Sequence, residues 1–157
     1  MKGNIIMKTF AFLISAFLLL GSIRAAPSVV GTWELKSFTR ITDEDKEIPW
    51  CKAPHGLLIY APDGYMSATI NCAKDTPADA PSQSYDNRLL YAGTYWTEGE
   101  KSVVHLVKNS SDLTLIGKKL PRTIQSLTEK DLILSGGAAN GKGRFLIEWV
   151  KAKAPRN

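Results

Sequence analysis

Apolar and polar residues alternate with a period of two along much of this chain, most clearly over residues 56–71 (GLLIYAPDGYMSATIN). Residues 57–60 form a short apolar run, and Ala61-Pro62-Asp63-Gly64 has turn chemistry: proline presets φ, and glycine accepts a positive φ at the end. On the return, Met66, Ala68 and Ile70 share one face while Tyr65, Ser67 and Thr69 share the other. The pattern predicts a β-hairpin, whose edges other strands must join. Upstream, residues 31–38 (GTWELKSF) set Trp33 and Leu35 against Thr32, Glu34 and Lys36, a strand with one wet side. Residues 42–46 (TDEDK) read as a charged turn, and Ile48-Pro49-Trp50 as a connection, because proline avoids paired central strands.

Downstream of the hairpin, residues 73–84 carry Pro77 and Pro81 and read as a long polar loop. Residues 85–90 are the one place where a helical turn or two is expected. Five more strands follow at 92–98, 102–108, 119–127, 131–135 and 144–151, separated by short polar or glycine-bearing turns. With the first three this makes eight short strands and at most one short helix. Such spacing predicts an antiparallel all-β architecture, and eight is a number at which a closed barrel holds its own side chains or one small ligand.

The first residues look different. Lys2 and Lys8 precede an apolar block, residues 10–20 (FAFLISAFLLL), that runs into Gly21-Ser22-Ile23-Arg24-Ala25-Ala26. This is the pattern of a secretory signal peptide, cut after Ala25 or Ala26, and the apolar block is short for a membrane span. Ser22 stands where a lipoprotein would carry its lipidated cysteine. The expectation is a signal peptide over 1–26 and one barrel domain over 27–157, periplasmic or secreted, with no stable membrane anchor after cleavage; an uncleaved anchor is the alternative. Cleavage leaves 17 basic against 15 acidic residues, a net charge near +2 that makes no case for nucleic acid. Cys51 and Cys72 both lie in the mature part. The hairpin register puts Cys72 opposite residue 54 or 55, close enough for a disulfide with Cys51; two reduced, buried thiols are the alternative.

Candidate chemistry is sparse. Gly136, Gly141 and Lys142 have phosphate-loop spacing, but Gly143 replaces the metal-binding hydroxyl and a strand follows where a helix is required. Asn140-Gly141 reads as a hairpin turn instead. With only His55 and His105, no three-histidine zinc site exists, so neither a metal nor a cofactor is expected. No Gly-x-Ser-x-Gly elbow and no Cys-x-x-Cys pair is present. His105 alternates with Val103 and Val107, and Arg122 with Leu120 and Ile124, so both are placed inside the barrel. There they either orient a carboxylate or enolate, with the histidine able to move protons, or simply pair with interior groups. Tyr60, Met66, Tyr95, Trp96 and Trp149 either line a cavity or fill a core.

The mature chain resembles the lipocalin-like domain family, a calycin-type β-barrel. Gly31-Thr32-Trp33 with Leu35 is similar to the family's opening strand, and the block from Gly56 through Ala68 to its most distinctive stretch. Tyr91-Ala92-Gly93-Thr94-Tyr95 matches Tyr-Ala-Gly-x-Tyr, His105 a strand histidine, Gly117 with Arg122 a Gly-then-Arg spacing, and Trp149-Val150-Lys151 a closing Trp-x-Arg. The resemblance implies a closed eight-stranded barrel in which Gly31, Trp33, Gly64 and Lys151 are structural. Lys151 replaces an arginine that would cover Trp33; lysine keeps a cation–π contact but loses the planar stack. Cys51 and Cys72 look like additions of an exported member, and residues 73–84 are short beside the family's insert.

Fold does not fix activity, and three readings stand. The first is an exported barrel that binds a small apolar or amphipathic molecule, with Tyr60, Met66, Tyr95, His105, Arg122 and Trp149 as ligand-binding residues. The second is a small isomerase or cyclase with His105 as general acid–base. The third is a packed barrel with no ligand.

Overall fold

The opening strand β1 (Gly31–Ile41) is the longest among the described residues, and its two edges serve three neighbours. One edge runs antiparallel to β9 (Arg144–Lys151) from Trp33↔Lys151 to Ile41↔Arg144. The other edge pairs first with β3 (His55–Tyr60) and then with the short β2 (Glu47–Pro49). From β3 the sheet continues through β4 (Tyr65–Asn71), β5 (Arg88–Thr97), β6 (Ser102–Ser110), β7 (Lys119–Leu127) and β8 (Asp131–Gly137), and returns to β9. All these pairings are antiparallel. Eight strands therefore close a barrel, and β2 is a flap on the outer part of β1. Closure removes the unpaired edges that an open sheet would expose. This computed structural model describes residues 26–72, 88–137 and 143–155. The expected signal segment up to residue 25, the loop at 73–84 and the Asn140-Gly141 turn lie outside them.

The hairpin forms as its pattern requires. Gly64 takes φ +89° and its N–H donates to the Ala61 carbonyl at 3.1 Å. Met66, Ala68 and Ile70 are buried, whereas Tyr65 is exposed. The register places His55 opposite Asn71, so Cys72 follows directly, and the Cys51–Cys72 disulfide is formed with Cα atoms 6.3 Å apart. Pro49 lies in β2, which pairs on one side only.

Two expectations are corrected. The described part of the expected helix at 85–90 is strand: Arg88, Leu89 and Leu90 pair with Asn71, Ile70 and Thr69, so β5 begins earlier than its apolar pattern indicates. The helical piece found among the described residues is instead a 3-10 turn, Leu113–Leu115, which Asp112 caps by accepting from Thr114 N–H.

One end of the barrel is sealed. Trp33 is fully buried there, its indole N–H donating to the Val29 carbonyl at 2.7 Å. The Lys151 ammonium lies 4.2 Å from the centre of its ring and donates to the Val30 carbonyl at 2.7 Å. Burial lowers the Lys151 pKa. The cation–π contact expected of a lysine at this position is made. Gly31 makes it possible: it adopts φ +130°, and a Cβ there would collide with the Lys151 ammonium. Replacing Gly31 by alanine is expected to displace that lysine and cost about 1–3 kcal/mol, read by chemical denaturation. Replacing Cys51 and Cys72 together by serine releases a loop closed over a separation of 21 residues. In the chain-entropy description this costs about 3 kcal/mol, seen as a lower urea midpoint, with a steeper slope because the released unfolded chain exposes more surface.

Candidate functional site

Above the sealed end the interior is not filled. A cavity of about 480 Å³ opens at the far end of the barrel, a size in the range of small-molecule sites. Its wall is largely apolar, with Leu58, Ala68, Ile70, Leu134, Ile147 and Trp149 joined by Phe38, Trp50, Leu115 and Phe145. The strand pattern makes it so: inward positions of a barrel alternate with outward ones, and β4 and β9 present Ala68 and Ile70, and Ile147 and Trp149, to the interior. Trp50 reaches the wall because its N–H donates to the Phe38 carbonyl at 2.8 Å and its ring stacks on Phe38 with centroids 5.1 Å apart.

The polar groups of the wall are few. On β6, His105 is buried between two tyrosines: Nε2 is 2.6 Å from the Tyr60 hydroxyl and Nδ1 is 2.9 Å from the Tyr91 hydroxyl. Burial, with the nearby Arg122 charge second, lowers the His105 pKa to about 3, so the ring is neutral at physiological pH. Burial also raises both tyrosines, Tyr60 well above its usual 10, and both keep their protons. Tyr60 has no polar partner but Nε2 among the described residues, so its O–H donates to that nitrogen. Nδ1 then carries the ring hydrogen and donates to Tyr91, which leaves the Tyr91 hydroxyl hydrogen free.

Arg122 enters from β7 between Leu120 and Ile124. Its guanidinium lies 4.8 Å from the centre of the Phe145 ring and donates to the Pro121 carbonyl at 3.1 Å. A Cβ on Gly136 would press on both the Arg122 guanidinium and the Phe145 ring, so that glycine makes room for the pair. Arg122 has no acidic partner among the described residues. At the rim, Arg144 is paired with Asp45 at 3.0 Å, and the Asp112 carboxylate accepts from Thr114. Trp149, 2% exposed, has an indole N–H with no acceptor among the described residues.

Of the residues singled out from the sequence, His105, Arg122 and Trp149 line the cavity. Tyr60, Met66 and Tyr95 are not part of its wall: Tyr60 is behind His105, Met66 is in the core, and the Tyr95 hydroxyl donates to the Ala61 carbonyl at 2.8 Å. Trp96 does not face the interior at all; its indole donates to Glu98, and Lys119 lies over its ring. Sequence reasoning missed Tyr91, Phe38 and Arg40. Tyr91 shares the parity of Gly93 and Tyr95, which could have found it. Phe38 and Arg40 are hidden by a bulge, described below. Among the described residues no three His, Cys, Asp or Glu side chains come together to hold a metal.

A family model described as a lipocalin-like domain matches residues 30–145. No curated protein matches the sequence significantly. Among solved structures, a lipocalin-like protein from Bacteroides uniformis aligns with TM-score 0.48 at 12% identity, over 78% of this chain and 97% of that one. A redesigned β-barrel aligns with TM-score 0.45 at 10% identity, over 79% and 91%. A de novo designed fluorescence-activating β-barrel aligns with TM-score 0.42 at 15% identity, over 78% and 93%.

Because the fold holds His105 neutral while the unfolded chain takes up its proton below about pH 6.5, stability from this group is full above that pH. It declines as pH falls toward 3. The native protein's advantage over His105→Gln is therefore expected to shrink with acidification, by up to about 1.4 kcal/mol per pH unit. Urea unfolding of both proteins between about pH 4 and pH 7 measures it.

Proposed function

This chain belongs to the lipocalin-like domain family, and we propose that it is an exported barrel that holds a small apolar or amphipathic molecule. The observation that carries the reading is the apolar cavity, open at one end and sealed at the other by Trp33 and Lys151. Arg122 orients the polar end of the guest. His105 acts at one remove, by fixing the Tyr91 hydroxyl, while Tyr60, Met66 and Tyr95 pack outside the cavity lining. The mature domain spans 27–157, freed of the segment 1–26, and the Cys51–Cys72 bridge supports an oxidising, extracytoplasmic destination. Acid–base catalysis by His105 finds no support in this site, since both ring nitrogens are engaged and the ring gains a proton only near pH 3.

Native mass spectrometry of the protein from its own compartment tests this. The expected result is a processed chain, two hydrogens short of its reduced mass, carrying a non-covalent adduct that organic solvent extracts. A protein with no adduct that also takes up no N-phenyl-1-naphthylamine, an uncharged apolar dye, ends the reading.

A further inference from the structure

Apart from the Asp112 carboxylate, the polar side chains of the cavity wall are chiefly donors. The Arg122 guanidinium is held in place by Phe145, Gly136 and the Pro121 carbonyl, without an acid to neutralise it among the described residues. The Tyr91 hydroxyl receives the His105 Nδ1 hydrogen, so its own hydrogen is available. The Trp149 indole N–H lacks an acceptor among the described residues. Arg40 and Arg144 add two cations at the rim. The one carboxylate in the wall, Asp112, caps the 3-10 turn and keeps its charge, and Arg144 is paired with Asp45, so the wall holds three arginines against one acid.

An amphipathic guest with a neutral or cationic head would leave this set of donors unanswered. Arg122 is half-buried; a guest that covered it without a counter-charge would strip its remaining water at a cost, and a hydrogen-bonded anion removes that cost. An arginine held rigidly by its neighbours also loses little freedom when it engages a planar or tetrahedral oxyanion. From this arrangement we infer that the cavity selects organic anions: a single carboxylate, sulfonate or phosphate head bound by Arg122 and Tyr91, with an apolar body against Leu58, Ala68, Ile147 and Trp149. The inference rests on the proposal that the cavity holds a guest, and narrows it to one class.

Two dyes of nearly the same shape separate the two ideas. 1-Anilinonaphthalene-8-sulfonate carries one sulfonate, and N-phenyl-1-naphthylamine lacks it. The native protein is expected to bind the sulfonate at least about tenfold more tightly than the neutral dye. In Arg122→Met that preference, read as the ratio of the two affinities in the same variant, falls to near one. Displacement follows the same order, decanoate acting at about one-tenth the concentration of decanol. Equal affinity of the native protein for both dyes overturns the anion inference and leaves the apolar cavity standing. Binding of neither dye overturns both. A preference that survives in Arg122→Met, with the variant's thermal unfolding showing it folded, places the anion elsewhere and overturns the assignment.

Discussion

Closure of the barrel depends on how β1 divides its hydrogen bonds. Its one edge must run the length of β9, while its other edge has to satisfy β3 at the sealed end and β2 at the open end. A single straight strand does not follow both directions. The register shift between Leu35 and Ser37 resolves the conflict, since a bulge bends a strand and increases its twist. It also exchanges which residues face inward. Trp33 and Leu35 pack toward the core before the bulge; Phe38 and Arg40 face the cavity after it. One strand thus supplies both the stopper of the barrel and part of its rim.

Between stopper and rim lies the only buried histidine among the described residues. Clamped by Tyr60 and Tyr91, it engages both ring nitrogens and two hydroxyls in a region where an unpaired polar group is expensive. Its neutrality matters for the cavity above. A protonated imidazole would add a second positive charge beside Arg122; a neutral one leaves the guanidinium as the charge at that level and turns the tyrosine hydroxyl into a directed donor.

Much of this was readable from the residues. The hairpin announced itself because Pro62 and Gly64 dictate a turn and Met66, Ala68 and Ile70 dictate a face. His105 and Arg122 were placed inside by parity alone, since neither β6 nor β7 is irregular next to them. Parity also separates Tyr95 from Trp96, and naming both as cavity residues overlooked it. What escaped was whatever breaks the period. Phe38 and Arg40 have the wrong parity until the bulge is known, and residues 88–90 lack the alternation that marks the rest of β5. The empty volume was unreadable for another reason: alternation tells which side chains point in, not whether together they fill the space.

The strap that carries Trp50 has its own implication. Trp50 lies against Phe38 at the entrance, and its neighbour Cys51 is covalently joined to the end of β4 through Cys72. The strap is therefore anchored twice, to β1 by the Phe38 carbonyl and ring and to the end of β4 by the covalent bridge, so two strands that are not neighbours in the sheet are tied together across the mouth of the barrel.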